Sequence, residues 1–163
     1  MMTIMTRRIE RDIYRLCTDR KLTVAVAESC TGGLASHLLT NVPGSSAYFL
    51  LSVVAYSYPA KERLLGVPHR LLQRHGAVSR AVVLAMARGV RRIARATAGL
   101  AITGIAGPAG GLPRKPVGTV WIGVATARGA HAFPHRFHGT RLTIKRRAAR
   151  AALRHLHATL RRD

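Results

Sequence analysis

Acidic side chains are scarce in this sequence. Its 163 residues include 27 Lys and Arg but only six Asp and Glu, for a formal net charge of +21. The acids are Glu10, Asp12, Asp19, Glu28, Glu62 and Asp163, so the span from Arg63 to Arg162 carries 20 bases and no acid. Few carboxylates are left to orient a histidine base or to hold a metal. A field of this sign attracts anions, whether phosphorylated metabolites or nucleic acid, in a salt-dependent way and without specificity. Only four of the 27 bases are lysines. So broad an arginine excess suits a solvated basic surface, and nucleic acid ranks below a small anionic molecule as the expected partner.

Cysteine is scarce as well. Cys17 and Cys30 have neither metal-ligand spacing nor the density of a secreted disulfide framework, and read as reduced thiols. No apolar run approaches the roughly 18 residues of a membrane span, and no apolar core follows the bases between Met1 and Arg8 as in a signal peptide. A soluble, cytoplasmic protein without a membrane partner is expected. Internal repeats and low-complexity linkers are absent too, and the length suits one domain with a real core.

Hydrophobic periodicity supplies the elements. Ile9, Ile13, Leu16 and Cys17 recur at helical spacing in residues 7–20, and residues 22–27 form a short buried strand. A helix begun at Thr31 runs to Leu39 before Asn41-Val-Pro-Gly44 ends it. Residues 48–56 read as a second strand, 59–65 and 71–74 as short helices, and 79–96 as a long helix capped by Ser79. A third strand over 99–103 enters the Gly- and Pro-rich loop 104–116, and a hairpin over 118–126 and 130–137 follows. Thr140 caps a last helix with Leu142, Ala149, Leu153, Leu156 and Leu160 on its apolar face. This order predicts a single-domain α/β fold, a three-layer α/β/α sandwich around a central mixed sheet. Ligands in such sheets bind at the carboxyl ends of strands, which makes the loops after Ala27 and Thr103 the walls of one pocket.

The stretch Ala27-Glu-Ser-Cys-Thr-Gly-Gly33 concentrates small polar side chains and glycines at a strand-to-helix corner. Ser29 could act there as a nucleophile, or it and Thr31 could merely cap the helix; spacing leaves both open. Cys30 reads as a small buried hydrophobe, since neighbours on a helix point about 100° apart and only one can face the pocket. The eight histidines have no acid placed to orient them, so a serine base would have to be a lysine kept neutral by burial and surrounding positive charge. Lys61 is available for that role, or for an ordinary place in solvent beside Glu62 or Glu28. No metal motif is present, and the glycines of residues 104–111 lack the Gly-Lys-Ser/Thr ending of a phosphate loop.

Six ordered blocks carry a family resemblance. They are Ala27-Glu-Ser-Cys-Thr-Gly-Gly33, Val42-Pro-Gly-Ser-Ser-Ala-Tyr-Phe49, Lys61 with Leu64-Leu-Gly-Val67, His75-Gly-Ala-Val-Ser79, Thr103-Gly-Ile-Ala-Gly-Pro108 and Lys115-Pro-Val-Gly-Thr-Val120. Together they resemble the CinA C-terminal domain family from about residue 7 to the last helix. The family includes stand-alone nicotinamide-nucleotide amidohydrolases of the PncC type, and also occurs behind a molybdopterin-binding-like domain that is not expected here. The resemblance implies hydrolysis of the carboxamide of nicotinamide mononucleotide, with no metal and no cofactor. It implies Ser29 as nucleophile, Lys61 as base and Tyr56 as the tyrosine that assists them. N–H groups of Thr31, Gly32 and Gly33, or of Gly44, Ser45 and Ser46, would hold the oxyanion. Thr103 and Gly104 would line the opposite wall, and Arg141 would take the substrate phosphate. The family's usual Tyr-Ser-Asn reads Tyr56-Ser57-Tyr58 here and is followed by Pro59, so a phenol replaces an amide beside the expected site. A homo-oligomer is expected. The rival expectation is a catalytically impaired relative that binds nucleotide or nucleic acid through its basic surface.

Overall fold

Strand β1, Val24–Glu28, is buried at every residue and lies inside the sheet, because its small and β-branched side chains can be covered on both faces. The computed structural model describes residues 8–163. Arg7, where the first helix is expected to start, lies outside that range. β1 pairs in parallel with β2 (Phe49–Val54) and with β3 (Ala98–Gly104). β3 then pairs antiparallel with β4 (Thr119–Thr126), and β4 with β5 (Gly129–Arg136). The order is β2-β1-β3-β4-β5, a mixed sheet with helices on both faces, as the element order predicts.

At most positions of the inner strands the pleat sorts side chains by size, although Leu51, Val53 and Trp121 also pack on the side of α5. Val24, Val26, Leu100, Ile102, Val120, Ile122 and Val124 point to the face covered by α1 (Ile9–Arg20), α2 (Leu34–Thr40) and α6 (Arg141–Arg162). The alternate positions Ala25, Ala27, Ala101 and Ala125 point to the other face, where α3 (Tyr58–Leu65), α4 (His69–His75) and α5 (Arg80–Ala94) pack. Gly99 lies opposite Ala125, and Gly123 opposite Ala101, so α5 rests on a floor of methyl groups and hydrogens. The approach is close: a Cβ at Gly99 would stand 2.2 Å from the Ala87 carbonyl oxygen, and one at Gly123 would stand 2.9 Å from that of Val83.

Three local expectations change. α2 starts at Leu34 rather than Thr31, because Gly32 and Gly33 take left-handed φ of 63° and 98° and hold residues 30–33 in a turn. β2 ends at Val54, which leaves Tyr56 in the loop beyond the strand. Leu142 is 60% exposed, since it occupies the first turn of α6, whereas Ile144, Ala148, Leu153, Leu156 and Leu160 face the sheet. Among the described residues no helix is long and apolar enough to cross a membrane.

The two faces should respond differently to a single methyl group. Gly99→Ala is expected to cost about 1–3 kcal/mol or more through overpacking, although alanine suits a strand no worse than glycine. Ile122→Val on the opposite face is expected to cost only about 0.5–1.5 kcal/mol. Urea denaturation of both variants checks the contrast.

Candidate active site

The corner after β1 is organised by the last residue of the strand. Glu28 is completely buried, and its carboxylate accepts four hydrogen bonds. Oε2 takes the amides of Gly33 and Ala35, each at 3.1 Å, while Oε1 takes the Ser36 amide at 2.9 Å and the Ser36 hydroxyl at 2.6 Å. The first turn of α2 is therefore capped from the preceding strand, and its N-cap residue, Gly33, has no side chain to do so. Ser29 is thereby free of a capping role.

Ser29 is held by its own amide, which donates to the Ile102 carbonyl of β3 at 2.9 Å, and it is only 8% exposed. Its hydroxyl meets Lys61. α3 brings the amine there: Ser57 caps the helix by accepting the Ala60 amide, Pro59 fits the first turn, and Lys61 falls on the inward face, 1% exposed. Nζ donates to the Ala55 carbonyl at 2.8 Å, to the Tyr56 carbonyl at 3.2 Å and to Ser29 Oγ at 3.1 Å. This burial excludes a place in solvent beside Glu62, which instead pairs with His69 at 2.8 Å, so that one of the eight histidines does have an acid beside it.

Burial pushes the Lys61 amine down from the ordinary lysine range to about 8. Its three partners are not equivalent. An ammonium offers three protons and satisfies all of them, but a neutral amine has two protons and one lone pair. The carbonyls of Ala55 and Tyr56 can only accept, so they keep the two remaining protons and turn the lone pair towards Ser29 Oγ. Deprotonation then reverses one hydrogen bond, from Nζ donating to Oγ into Oγ donating to Nζ. This is the ground-state geometry of a general base on a serine.

The other expected residues distribute around this pair. Cys30 is buried, and burial first, then the Glu28 charge, push its thiol up to about 12, so it stays protonated and is a poor nucleophile. Gly104 lies against it, with 3.1 Å between a Cβ position there and the Cys30 sulfur. Thr103 is buried and donates to the Ala77 carbonyl at 2.9 Å, so its hydroxyl ties the loop before α5 to the pocket wall. The Tyr58 phenol accepts the Ala77 amide at 3.1 Å and braces the same loop. Tyr56 reaches Lys61 through its backbone carbonyl, whereas its exposed phenol accepts from Arg141 at 3.0 Å.

Some expected partners are otherwise engaged. The Gly32 amide donates to the Ser29 carbonyl and the Gly33 amide to Glu28, which leaves the amides of Cys30 and Thr31 as corner groups donating to no carbonyl among the described residues. Gly44, Ser45 and Ser46 precede β2 at the amino end of the parallel strands, about 16 Å by strand rise from the carboxyl end where Ser29 sits. Within this chain they do not face the serine. Arg141 is a brace rather than a free cation, with one terminal nitrogen on the Gly107 carbonyl at 2.7 Å and the other on Tyr56. Among the described residues no group of three or more His, Cys, Asp or Glu side chains stands together to hold a metal. Sequence reasoning missed Lys145, whose amine lies 3.5 Å from a Cβ position at Gly32. Its spacing of four from Arg141 on one helix was the available signal.

The comparisons with known proteins agree with this architecture. The family model described as the CinA C-terminal domain matches residues 6–160. A CinA-like protein of Geobacter metallireducens is 53% identical over 137 residues, 84% of this chain and 33% of that protein. The chain thus spans about a third of the length of the curated relatives it matches. The crystal structure of the competence/damage inducible protein CihA from Agrobacterium tumefaciens superposes with a TM-score of 0.88 at 40% identity, covering 96% of this chain and 98% of that one. A CinA superfamily protein from Klebsiella pneumoniae 700603 gives 0.91 at 32% identity, covering 95% and 97%.

The four-donor carboxylate makes a direct prediction. Glu28→Ala strands three amides and a hydroxyl, and is expected to lower unfolding free energy by about 3 kcal/mol or more. Glu28→Gln should rescue little of this, because its NH2 must face donors. Chemical denaturation of the two variants tests both statements.

Proposed function

The chain belongs to the CinA C-terminal domain family, and on that premise we propose that it is a serine-lysine amidohydrolase converting nicotinamide mononucleotide to nicotinate mononucleotide and ammonia. The observation that carries the reading is the buried contact of 3.1 Å between Lys61 Nζ and Ser29 Oγ, with two backbone carbonyls fixing the amine. The choice of substrate rests on the family resemblance of the six sequence blocks.

In the reaction, neutral Lys61 takes the Ser29 proton as Oγ attacks the carboxamide carbon. The oxyanion that forms can be held by the amides of Cys30 and Thr31. Collapse of the tetrahedral intermediate breaks the C–N bond, and the Lys61 ammonium returns its proton to the departing nitrogen, so ammonia leaves and an acyl-serine remains. Water then attacks the ester, losing one proton to Lys61, and the ammonium reprotonates Ser29 as the carboxylic acid departs, its remaining proton passing to solvent. No step requires a histidine, which suits a chain with so few acids to orient one.

Incubation with nicotinamide mononucleotide is expected to release ammonia. Ser29→Ala and Lys61→Ala should each lower kcat by about 10²–10⁴-fold, while Cys30→Ala should stay within a few-fold of the parent. Dependence on Cys30 with indifference to Ser29 would sink the mechanism. Below about pH 8 the amine is an ammonium and cannot accept a proton, and above it the amine is neutral. The value of kcat/KM should therefore climb with pH and level off above about 8. A profile flat from about pH 6 to 10 rules out Lys61 as the base.

A further inference from the structure

We propose that the outer edge of β2 pairs antiparallel with β2 of a second copy of this chain, which brings the Gly44–Ser46 turn of each copy to the carboxyl end of the other's β2. β2 is one of the two edge strands, with β1 on one side and no strand on the other among the described residues. Its six residues, Phe-Leu-Leu-Ser-Val-Val, carry no charge, and Leu50 and Val54 are 48% and 47% exposed. A bulge at the start of the strand leaves Leu50 without a partner in β1, while Leu51 to Val54 keep a regular register. The opposite edge is protected: β5 carries Pro134, which has no N–H to give, and ends in Arg136. β2 has neither a proline nor a charge to turn another strand away.

Charge says what covers this edge. The chain carries a net +21, yet residues 29–60 contain no Lys, Arg, Asp or Glu. Of the eight large hydrophobic side chains exposed among the described residues, five (Leu50, Val54, Tyr56, Tyr58 and Leu64) lie on β2 or in the segment and helix that follow it. An acidic partner would gain most against the arginines elsewhere on the surface. A partner as basic as this chain is repelled there and can approach only where charge is missing. A second copy is such a partner, and it presents the same uncharged strand, so a two-fold axis makes the contact self-complementary. With that axis perpendicular to the sheet the two strands run antiparallel, and the amino end of one β2 lies beside the carboxyl end of the other. Within one chain the Gly44–Ser46 turn stands at the amino end of β2, about 16 Å by strand rise from the end where Ser29 and Lys61 meet. In the pair, the turn returns to that end beside the partner subunit's Tyr56.

Analytical ultracentrifugation of the full chain tests the pairing. It is expected to show a monomer–dimer equilibrium whose dissociation constant falls as sodium chloride rises from about 0.1 M to about 0.5 M, because salt screens the repulsion of two like-charged copies and spares apolar contact. Leu50→Arg and Val54→Arg should each raise that constant about a hundredfold or more, since the two-fold axis sets two new charges near each other. Both positions are half exposed, so the variants should keep the parent's circular dichroism. Ile93→Arg, at an exposed position on α5, is the control and should leave the constant unchanged. Strand direction is read by maleimide cross-linking, to which the native thiols are closed by burial. Leu50→Cys mixed with Val54→Cys should give the mixed link far more efficiently than either variant links to itself. A chain that stays monomeric at high salt, a dimer indifferent to both arginines, or one lost equally in Ile93→Arg overturns the proposal. So does a dimer that salt dissociates, which would mark ion pairs, and so does self-linking of both cysteine variants, which would mark parallel strands. None of these readouts involves a substrate, so the pairing stands or falls apart from the amidohydrolase reading.

Discussion

An amine with three acceptors and no counter-ion is the constraint on which the site depends. Lys61 is buried against the Ala55 and Tyr56 carbonyls and the Ser29 hydroxyl, and none of the three carries charge. A carboxylate in any of those places would fix the ammonium and end its use as a base. Neutral acceptors hold the amine in position without stabilising its charge strongly, so burial lowers its proton affinity and geometry still aims it. The scarcity of acids is thus a condition of the chemistry as well as an oddity of composition. The one carboxylate at the corner, Glu28, is turned away from the lysine by four donors of its own.

The fold delivers this arrangement through two parallel strands that end in register. Glu28 lies opposite Val54, so the chain leaves β1 at Ser29 and leaves β2 at Ala55 on the same edge of the sheet. The Ala55 amide is tied to the Glu28 carbonyl at 2.9 Å, and the Ser29 amide to Ile102 at 2.9 Å. Nucleophile and base are therefore attached to one ladder of backbone hydrogen bonds. A shift of β1 by a single residue in that ladder would turn its side chains to the other face.

Much of this was legible in the sequence, and what was not has identifiable causes. The glycine corner, the order of elements and the mixed sheet follow from periodicity and turn chemistry. Whether Lys61 faced Ser29 or water was undecidable from spacing, because its partners are backbone carbonyls, which every residue has. Thr31 looked like part of a helix because helical preference says nothing about Glu28, whose carboxylate takes the amides of Gly33, Ala35 and Ser36 around the first turn. The turn at Gly44–Ser46 has the composition of an anion cradle, yet a helix running back along the sheet carries it to the opposite end. Leu142 fits the apolar stripe of α6 by number but sits exposed in the first turn.

The division of the sheet into a large-residue face and a floor of alanine and glycine also bears on how such a protein can change over generations. Under α1, α2 and α6, valine, leucine and isoleucine can be exchanged in compensating pairs, and the sequence can drift while the volume is kept. Beneath α5 there is no smaller residue to retreat to at Gly99 or Gly123 and no room for a larger one. Drift on that side requires the helix itself to lift, and lifting α5 would disturb Ala77 and with it the loop that Thr103 and Tyr58 anchor at the pocket wall. The face farthest in character from chemistry is the one whose history is most closely bound to it.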